Sequence, residues 1–219
     1  MSNTATPVHS SNGTVDPMQE LDTLPTASPG LISAHLSDVR SLLNHVPMFT
    51  LERIVEVFRK ARDEGAFIYI AGNGGSSATA SHWVNDLGKA TKRSGRRPMR
   101  AICLSDNTSW LSALANDEGY DRVFSGQLEN FAKPGDVLVC ISASGNSPNL
   151  LHAVDVARER GMATIGLLGF DGGALRSRVD VMLCVSTEKG AYELVEDIHS
   201  VLCHTITKCL IADRADTCS

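Results

Sequence analysis

Five short apolar runs recur along the chain: "FIYIAG" (67–72), "MRAICLS" (99–105), "DVLVCIS" (136–142), "ATIGLLG" (163–169) and "DVMLCVS" (180–186), with helix-like stretches between most of them. Runs this continuously apolar do not suit strands with one wet face, and the helical stretches between them call for parallel crossovers. The expectation is a doubly wound α/β domain, a five-stranded parallel sheet with helices on both faces. "SPNLLHAVDVARERG" (147–161) carries the helical signals, with Pro148 suited to a first turn and Gly161 to a C-terminal stop. A last long helix is expected from about Tyr192 to Ala212. Ahead of the sheet, Leu51, Ile54, Val55 and Phe58 recur at i, i+3, i+4 and i+7, one stripe of an amphipathic helix. An added N-terminal helical pair is therefore expected from Leu31 onward. Residues 1–30, rich in Ser, Thr, Asn and Pro and without apolar period, read as a disordered tail, which leaves 31–219 as one domain.

Composition excludes several function classes. A net charge of -5 argues against a nucleic-acid surface as the main business. The basic cluster Lys89, Lys92, Arg93, Arg96, Arg97 and Arg100 reads as a solvated helix end and loop, with one or two cations facing an anionic ligand. No run approaches the ~20 apolar residues of a membrane helix. The first basic residue is Arg40, so a basic leader is not expected. The six cysteines (Cys103, Cys140, Cys184, Cys203, Cys209, Cys218) form no CxxC pair, and several stand inside apolar strands or helices. A cytoplasmic protein is the simplest expectation.

In a doubly wound sheet, ligands bind beyond the carboxyl ends of the strands, so the turns there are the place to look. After the first run comes Gly72-Asn73-Gly74-Gly75-Ser76-Ser77, and after the third Ser142-Ala143-Ser144-Gly145-Asn146-Ser147. Each passes from strand through a small-residue turn into a helix. Glycine lets the backbone approach an anion, while serine hydroxyls and free N–H groups supply donors. The first turn is not the G-x-G-x-x-G of a dinucleotide site and lacks the ending of a P-loop. Two such turns, rich in hydroxyls rather than arginines, point to an enclosed phosphate monoester.

The ionisable residues follow. His82 and Asp86 stack one turn apart if 76–88 is helical, although a half-buried histidine behind Trp83 is the bland alternative. The last helix carries "YELVEDIHSVLCH", with Glu193, Glu196, Asp197, His199 and His204; Val195, Ile198, Val201, Leu202 and Ile206 outline its buried stripe. His82, Asp86, Glu196 and His204 form a nitrogen and oxygen set suited to zinc or a similar divalent ion. Glu196 and His204 are about 12 Å apart along a helix axis, so one metal does not take both from one copy of the helix. Either only one is a ligand, or two subunits complete the site; the second is preferred and implies an oligomer.

"GNGGS", "ANDEGY", "GDVLVCISASGNSPN", "GFDGG" and "VEDIHSVLCH", in this order, resemble the SIS (sugar isomerase) fold, and more closely the sedoheptulose 7-phosphate (phosphoheptose) isomerases, over about residues 35–212. The resemblance implies a flavodoxin-like strand order and a homotetramer with active sites at subunit interfaces. It implies a phosphate site at Ser76, Ser142, Ser144 and Ser147, and substrate contacts at Asn73, Gly74, Gly75, Asn116, Asp117, Ala143 and Glu196. It implies zinc at His82, Asp86, Glu196 and His204, and a catalytic pair of Asp86 and His204. Three positions depart from the family pattern: Asp86 where Glu is usual, Glu196 where Gln is usual, and Ala143 where Thr is common.

The implied reaction converts sedoheptulose 7-phosphate to a D-glycero-heptose 7-phosphate through a metal-assisted enediol. One group removes a carbon proton and another protonates oxygen, with Asp86 as base and His204 as acid. Ligand and base remain competing roles for Asp86. The alternative is a non-catalytic SIS protein that binds a phosphosugar or a protein partner, of the replication-initiator-binding type; such proteins lose the acid and base that this chain keeps.

Overall fold

The computed structural model describes residues 29–94 and 96–213; most of the expected N-terminal tail, residues 1–28, lies outside them. Two helices come first: α1 (Pro29–Asn44), which begins inside the segment read as tail, and α2 (Met48–Glu64). The sheet and the helices around it belong to the unit Ser37–Ser219. Its elements are β1 (Phe67–Gly72), α3 (Gly75–Ala90), β2 (Arg100–Cys103), α4 (Thr108–Asp117), α5 (Ser125–Phe131), β3 (Val137–Ser142), α6 (Pro148–Glu159), β4 (Ala163–Gly169), β5 (Val181–Val185) and α7 (Tyr192–Ala212). All five strands are parallel, in the order β2-β1-β3-β4-β5, with Ile70 opposite Val139, Val139 opposite Ile165 and Leu167 opposite Leu183.

The continuous apolar runs are two alternating sets, because successive side chains of a strand point to opposite faces. Ile68 and Ile70 of β1, Val137, Val139 and Ile141 of β3, and Ile165 and Leu167 of β4 pack with residues of α2, α3 and α7. Tyr69, Ala71, Leu138, Cys140 and Leu168 meet α4, α5 and α6 on the other face. β2 departs from this pattern: Arg100 and Ile102 are exposed, as befits an edge strand. The β4–β5 connection holds only a 3-10 turn, Ala174–Ser177, rather than a helix.

α7 is held against α3 and α2. Trp83 stacks on Phe58, with ring centroids 5.2 Å apart, and donates its indole N–H to Thr207 Oγ1 at 3.1 Å. At the far end of α7, Asp213 receives Arg59 and the buried Arg62, at 2.8 and 3.0 Å. Val201, expected in the buried stripe, is 39% exposed; Val195, Ile198, Leu202 and Ile206 are buried. Val201 falls off the stripe because Ile198, Leu202 and Ile206 already define the contact face at helical spacing.

Candidate active site

The strand order reverses direction between β1 and β3, and a crevice opens at such a switch point beyond the strands' carboxyl ends. Both anion turns lie there, one leading into α3 and the other into α6. A pocket of about 200 Å³ between them is lined by Asn73, Ser76, Ser142, Ala143, Ser144, Ser147, Tyr192 and Glu196, with Ile141 beneath.

The turns are cross-braced. Asn73 Nδ2 donates to Asn149 Oδ1 at 3.0 Å, and Asn149 Nδ2 donates back to Asn73 Oδ1 at 2.9 Å. Tyr120 adds its hydroxyl to Asn73 Oδ1 at 3.0 Å. Within the second turn Ser142 Oγ accepts the Gly145 N–H at 3.0 Å and Ser144 Oγ accepts that of Asn146 at 3.3 Å. Gly145 has φ +62°, and a Cβ there would fall on the Gly172 carbonyl, so the "GFDGG" loop after β4 forms the back wall of this turn. Gly75, the first residue of α3, lies directly under the Glu196 carboxylate, where a Cβ would overlap the carboxylate carbon at 2.6 Å.

A second cluster lies further along the same two helices. His82 Nε2 is 3.6 Å and His204 Nε2 3.5 Å from Asp86 Oδ2, and one ligand atom from each residue lies within 4.8 Å of the others. Thr79, Trp83, Ser200 and Cys203 complete the groove. The Glu196–Gly75 and His204–Asp86 contacts require α3 and α7 to run side by side in the same direction. Both helices therefore start at the serine-lined pocket and carry the His–Asp–His cluster about two turns later.

Of the expected metal set, His82, Asp86 and His204 come together within one chain. Glu196 does not join them; it stands in the serine pocket, as its spacing from His204 requires. Two imidazoles and a carboxylate are ligand types that would suit zinc. Gly74 carries φ +54° at the start of α3. Asn116 and Asp117 are exposed at the end of α4, hydrogen-bonded to each other at 2.7 Å and outside the pocket lining.

His199 is buried at 1% exposure, and its Nε2 donates to the Leu168 carbonyl at 3.1 Å. Burial drives its pKa down to about 4, partly offset by that hydrogen bond. It is a neutral core residue rather than part of either cluster. Burial, reinforced by the nearby Asp86 carboxylate, pushes the Cys203 thiol up and leaves it unreactive. Asn149, Tyr120 and Tyr192 are not among the site residues expected from the sequence. Asn149 follows the serine turn and Tyr120 closes "ANDEGY", so both stand beside recognisable motifs; nothing local marks Tyr192.

The SIS domain family model matches residues 35–169. Phosphoheptose isomerase of Roseiflexus sp. (strain RS-1) is 38% identical over 177 residues, spanning 80% of this chain and 85% of that protein. The phosphoheptose isomerase of Pelobacter propionicus is 42% identical over 166 residues, spanning 73% and 83%. Among solved structures, phosphoheptose isomerase GmhA from Neisseria gonorrhoeae is 30% identical and superposes with a TM-score of 0.74, covering 88% of this chain and 98% of that one. The Vibrio vulnificus NanR protein complexed with ManNAc-6P, 20% identical at a TM-score of 0.60, shares the fold. With a braced serine pocket and a His–Asp–His cluster on the fold of these relatives, the chain is an isomerase and belongs to the SIS-domain phosphoheptose isomerase family.

Proposed function

We propose that the chain interconverts sedoheptulose 7-phosphate and a D-glycero-heptose 7-phosphate through an enediol, with zinc held by His82, Asp86 and His204. The observation that carries this reading is the shared pair of helices: α3 and α7 bring one end of a ligand to the serine pocket and the other to the His–Asp–His groove. The distance along the helices, about 9–12 Å at 1.5 Å per residue, is of the order of an extended seven-carbon phosphate.

Ser76, Ser142, Ser144 and Ser147 hold the phosphate, and this remote binding keeps the reacting carbons in place. His82, Asp86 and His204 would hold the zinc, which would supply Lewis-acid polarisation of the ketose carbonyl. Ligand and proton-transfer roles compete at these residues: off the metal, Asp86 takes the proton from the carbon beside the carbonyl and His204 delivers a proton to oxygen, and the roles reverse on return. Asn73 is held by Asn149 and Tyr120 at the mouth of the first turn, where its amide orients the sugar. Interfacial sites in a homotetramer fit the solvent exposure of His82 and His204, at 59% and 52%. The unpaired thiols Cys103, Cys140, Cys184, Cys203 and Cys209 support a cytoplasmic setting.

The test is NMR of sedoheptulose 7-phosphate with zinc-loaded protein in deuterated water. Aldoheptose 7-phosphate deuterated at C2 supports both the isomerisation and the enediol route. Absence of exchange and product, with the sugar phosphate still raising the melting temperature, overturns the reading in favour of a binding protein.

A further inference from the structure

We propose that the buried hydrogen bond between Trp83 and Thr207 is the register lock of the His–Asp–His groove: it fixes how far α7 sits along α3, and with that the place of His204 opposite His82 and Asp86. Trp83 and Thr207 are positioning residues, acting through the neighbouring histidines. This deepens the isomerase reading of the groove and rests on it for what the groove does.

Trp83 directly follows His82, and Thr207 comes three residues after His204 on α7. The two helices therefore meet at two neighbouring levels. At one, His204 Nε2 stands 3.5 Å from Asp86 Oδ2; at the other, the Trp83 indole N–H donates to Thr207 Oγ1 at 3.1 Å. The first pair is partly exposed and the second is buried. Around the buried pair, Ala80 and Leu87 of α3 and Cys203, Ile206 and Leu210 of α7 belong to one apolar cluster.

Apolar attraction has no direction, so by itself it sets the register of two parallel helices loosely. One residue along a helix is a step of only about 1.5 Å. A hydrogen bond is narrow in both distance and angle. Sliding α7 by one such step would leave the indole N–H buried without an acceptor, a costly state. Both partners are themselves held in place. The Trp83 ring stacks on Phe58 of α2, and the Thr207 hydroxyl donates to the Cys203 carbonyl at 2.9 Å, which turns its lone pairs toward the indole. The groove needs this precision. Metal–ligand distances hold to within about 0.2 Å, and a misplacement of about 1 Å at reacting groups costs on the order of 10²-fold in rate.

The test uses the full-length protein with three substitutions on α7. Thr207→Val keeps the branched shape and removes the acceptor, Thr207→Ser keeps the hydroxyl, and Ile206→Val thins the core next door while leaving the bond alone. Two readouts apply: the assigned ring-proton NMR signals of His82 and His204 in metal-free protein at one fixed pH, and zinc affinity by competition with a chromophoric chelator. The two rings stand edge to face at 5.0 Å, so each displaces the other's signals by its ring current. Thr207→Val is expected to move those signals toward free-histidine positions. It is also expected to weaken zinc at least about tenfold, the range for losing a group that orients a ligand. Thr207→Ser is expected to stay near wild type in both readouts. Ile206→Val is expected to lower the melting temperature and leave both unchanged. Should Thr207→Val fail to fold, Thr207→Ala, which leaves room for a water at the indole N–H, carries the same two expectations. Unmoved ring signals in the folded variant overturn the proposal, as does a Thr207→Ser protein that behaves like Thr207→Val, or an Ile206→Val protein whose signals move as far. If the wild type holds no zinc while the ring signals respond as stated, the metal-assisted reading falls and the lock stands.

Discussion

His82 and His204 stand edge to face on two different helices, their ring centroids 5.0 Å apart and their planes at 71°. Asp86 is the third vertex, with one carboxylate oxygen within 3.6 Å of both imidazoles. Residues from the first crossover helix, α3, and from α7, which follows β5, thus meet in one groove. That meeting gives the proposed chemistry its clearest point of attack.

Asp86→Asn keeps the size of the side chain and removes its basicity. Turnover of sedoheptulose 7-phosphate is expected to fall about 10²–10⁴-fold, the range for losing a general base. Binding of inorganic phosphate, measured by calorimetry, is expected to stay near wild type, because Asp86 lies outside the serine pocket. Normal turnover in this variant would remove Asp86 from the proton transfer. Zinc retained after gel filtration, measured by atomic absorption, is expected to fall well below wild type in His82→Ala.

Gly145 and Gly75 meet their neighbours differently. Gly145→Ala puts a Cβ against the backbone carbonyl of Gly172 at φ +62°, where nothing can swing aside. A loss of about 2 kcal/mol is expected, seen as a melting temperature about 4–8 °C lower. Gly75→Ala meets the end of the flexible Glu196 side chain, which can rotate away. Its melting temperature is expected to remain near wild type while phosphate affinity changes. A fall in Gly75→Ala as large as that in Gly145→Ala would contradict this account.

Asn149 is 1% exposed and braces the two turns through its paired amide bonds with Asn73. Asn149→Ala strands one face of the Asn73 amide and is expected to cost about 1–3 kcal/mol in urea denaturation. Phosphate binding is expected to weaken with it, since the turns lose their fixed separation. A stability loss with unchanged phosphate affinity would make the brace purely structural.

His199 sets a pH dependence. Its folded pKa of about 4 lies below the ordinary value near 6.5, so the unfolded chain takes up the proton first. Stability from this group is intact above pH ~6.5 and is lost progressively as the pH falls toward ~4, by up to about 3 kcal/mol. Denaturation curves across that range should flatten in His199→Gln. An equal slope in both proteins would assign the acid loss to other groups.

Much of the architecture is legible locally. Strand and helix runs, the two turns, and the i, i+4 pair of His82 and Asp86 follow from periodicity and turn chemistry, which act over a few residues. The spacing of Glu196 and His204 likewise keeps them apart on one helix, by helical rise alone. Tertiary structure decided the rest. It joined His204 to His82 and Asp86, moved Glu196 into the serine pocket, and paired Asn73 with Asn149. It buried His199 as a neutral core residue and turned Val201 outward. Each of these depends on which helices lie side by side and in what register, and that is settled by packing between residues far apart in the chain, for which no local pattern exists.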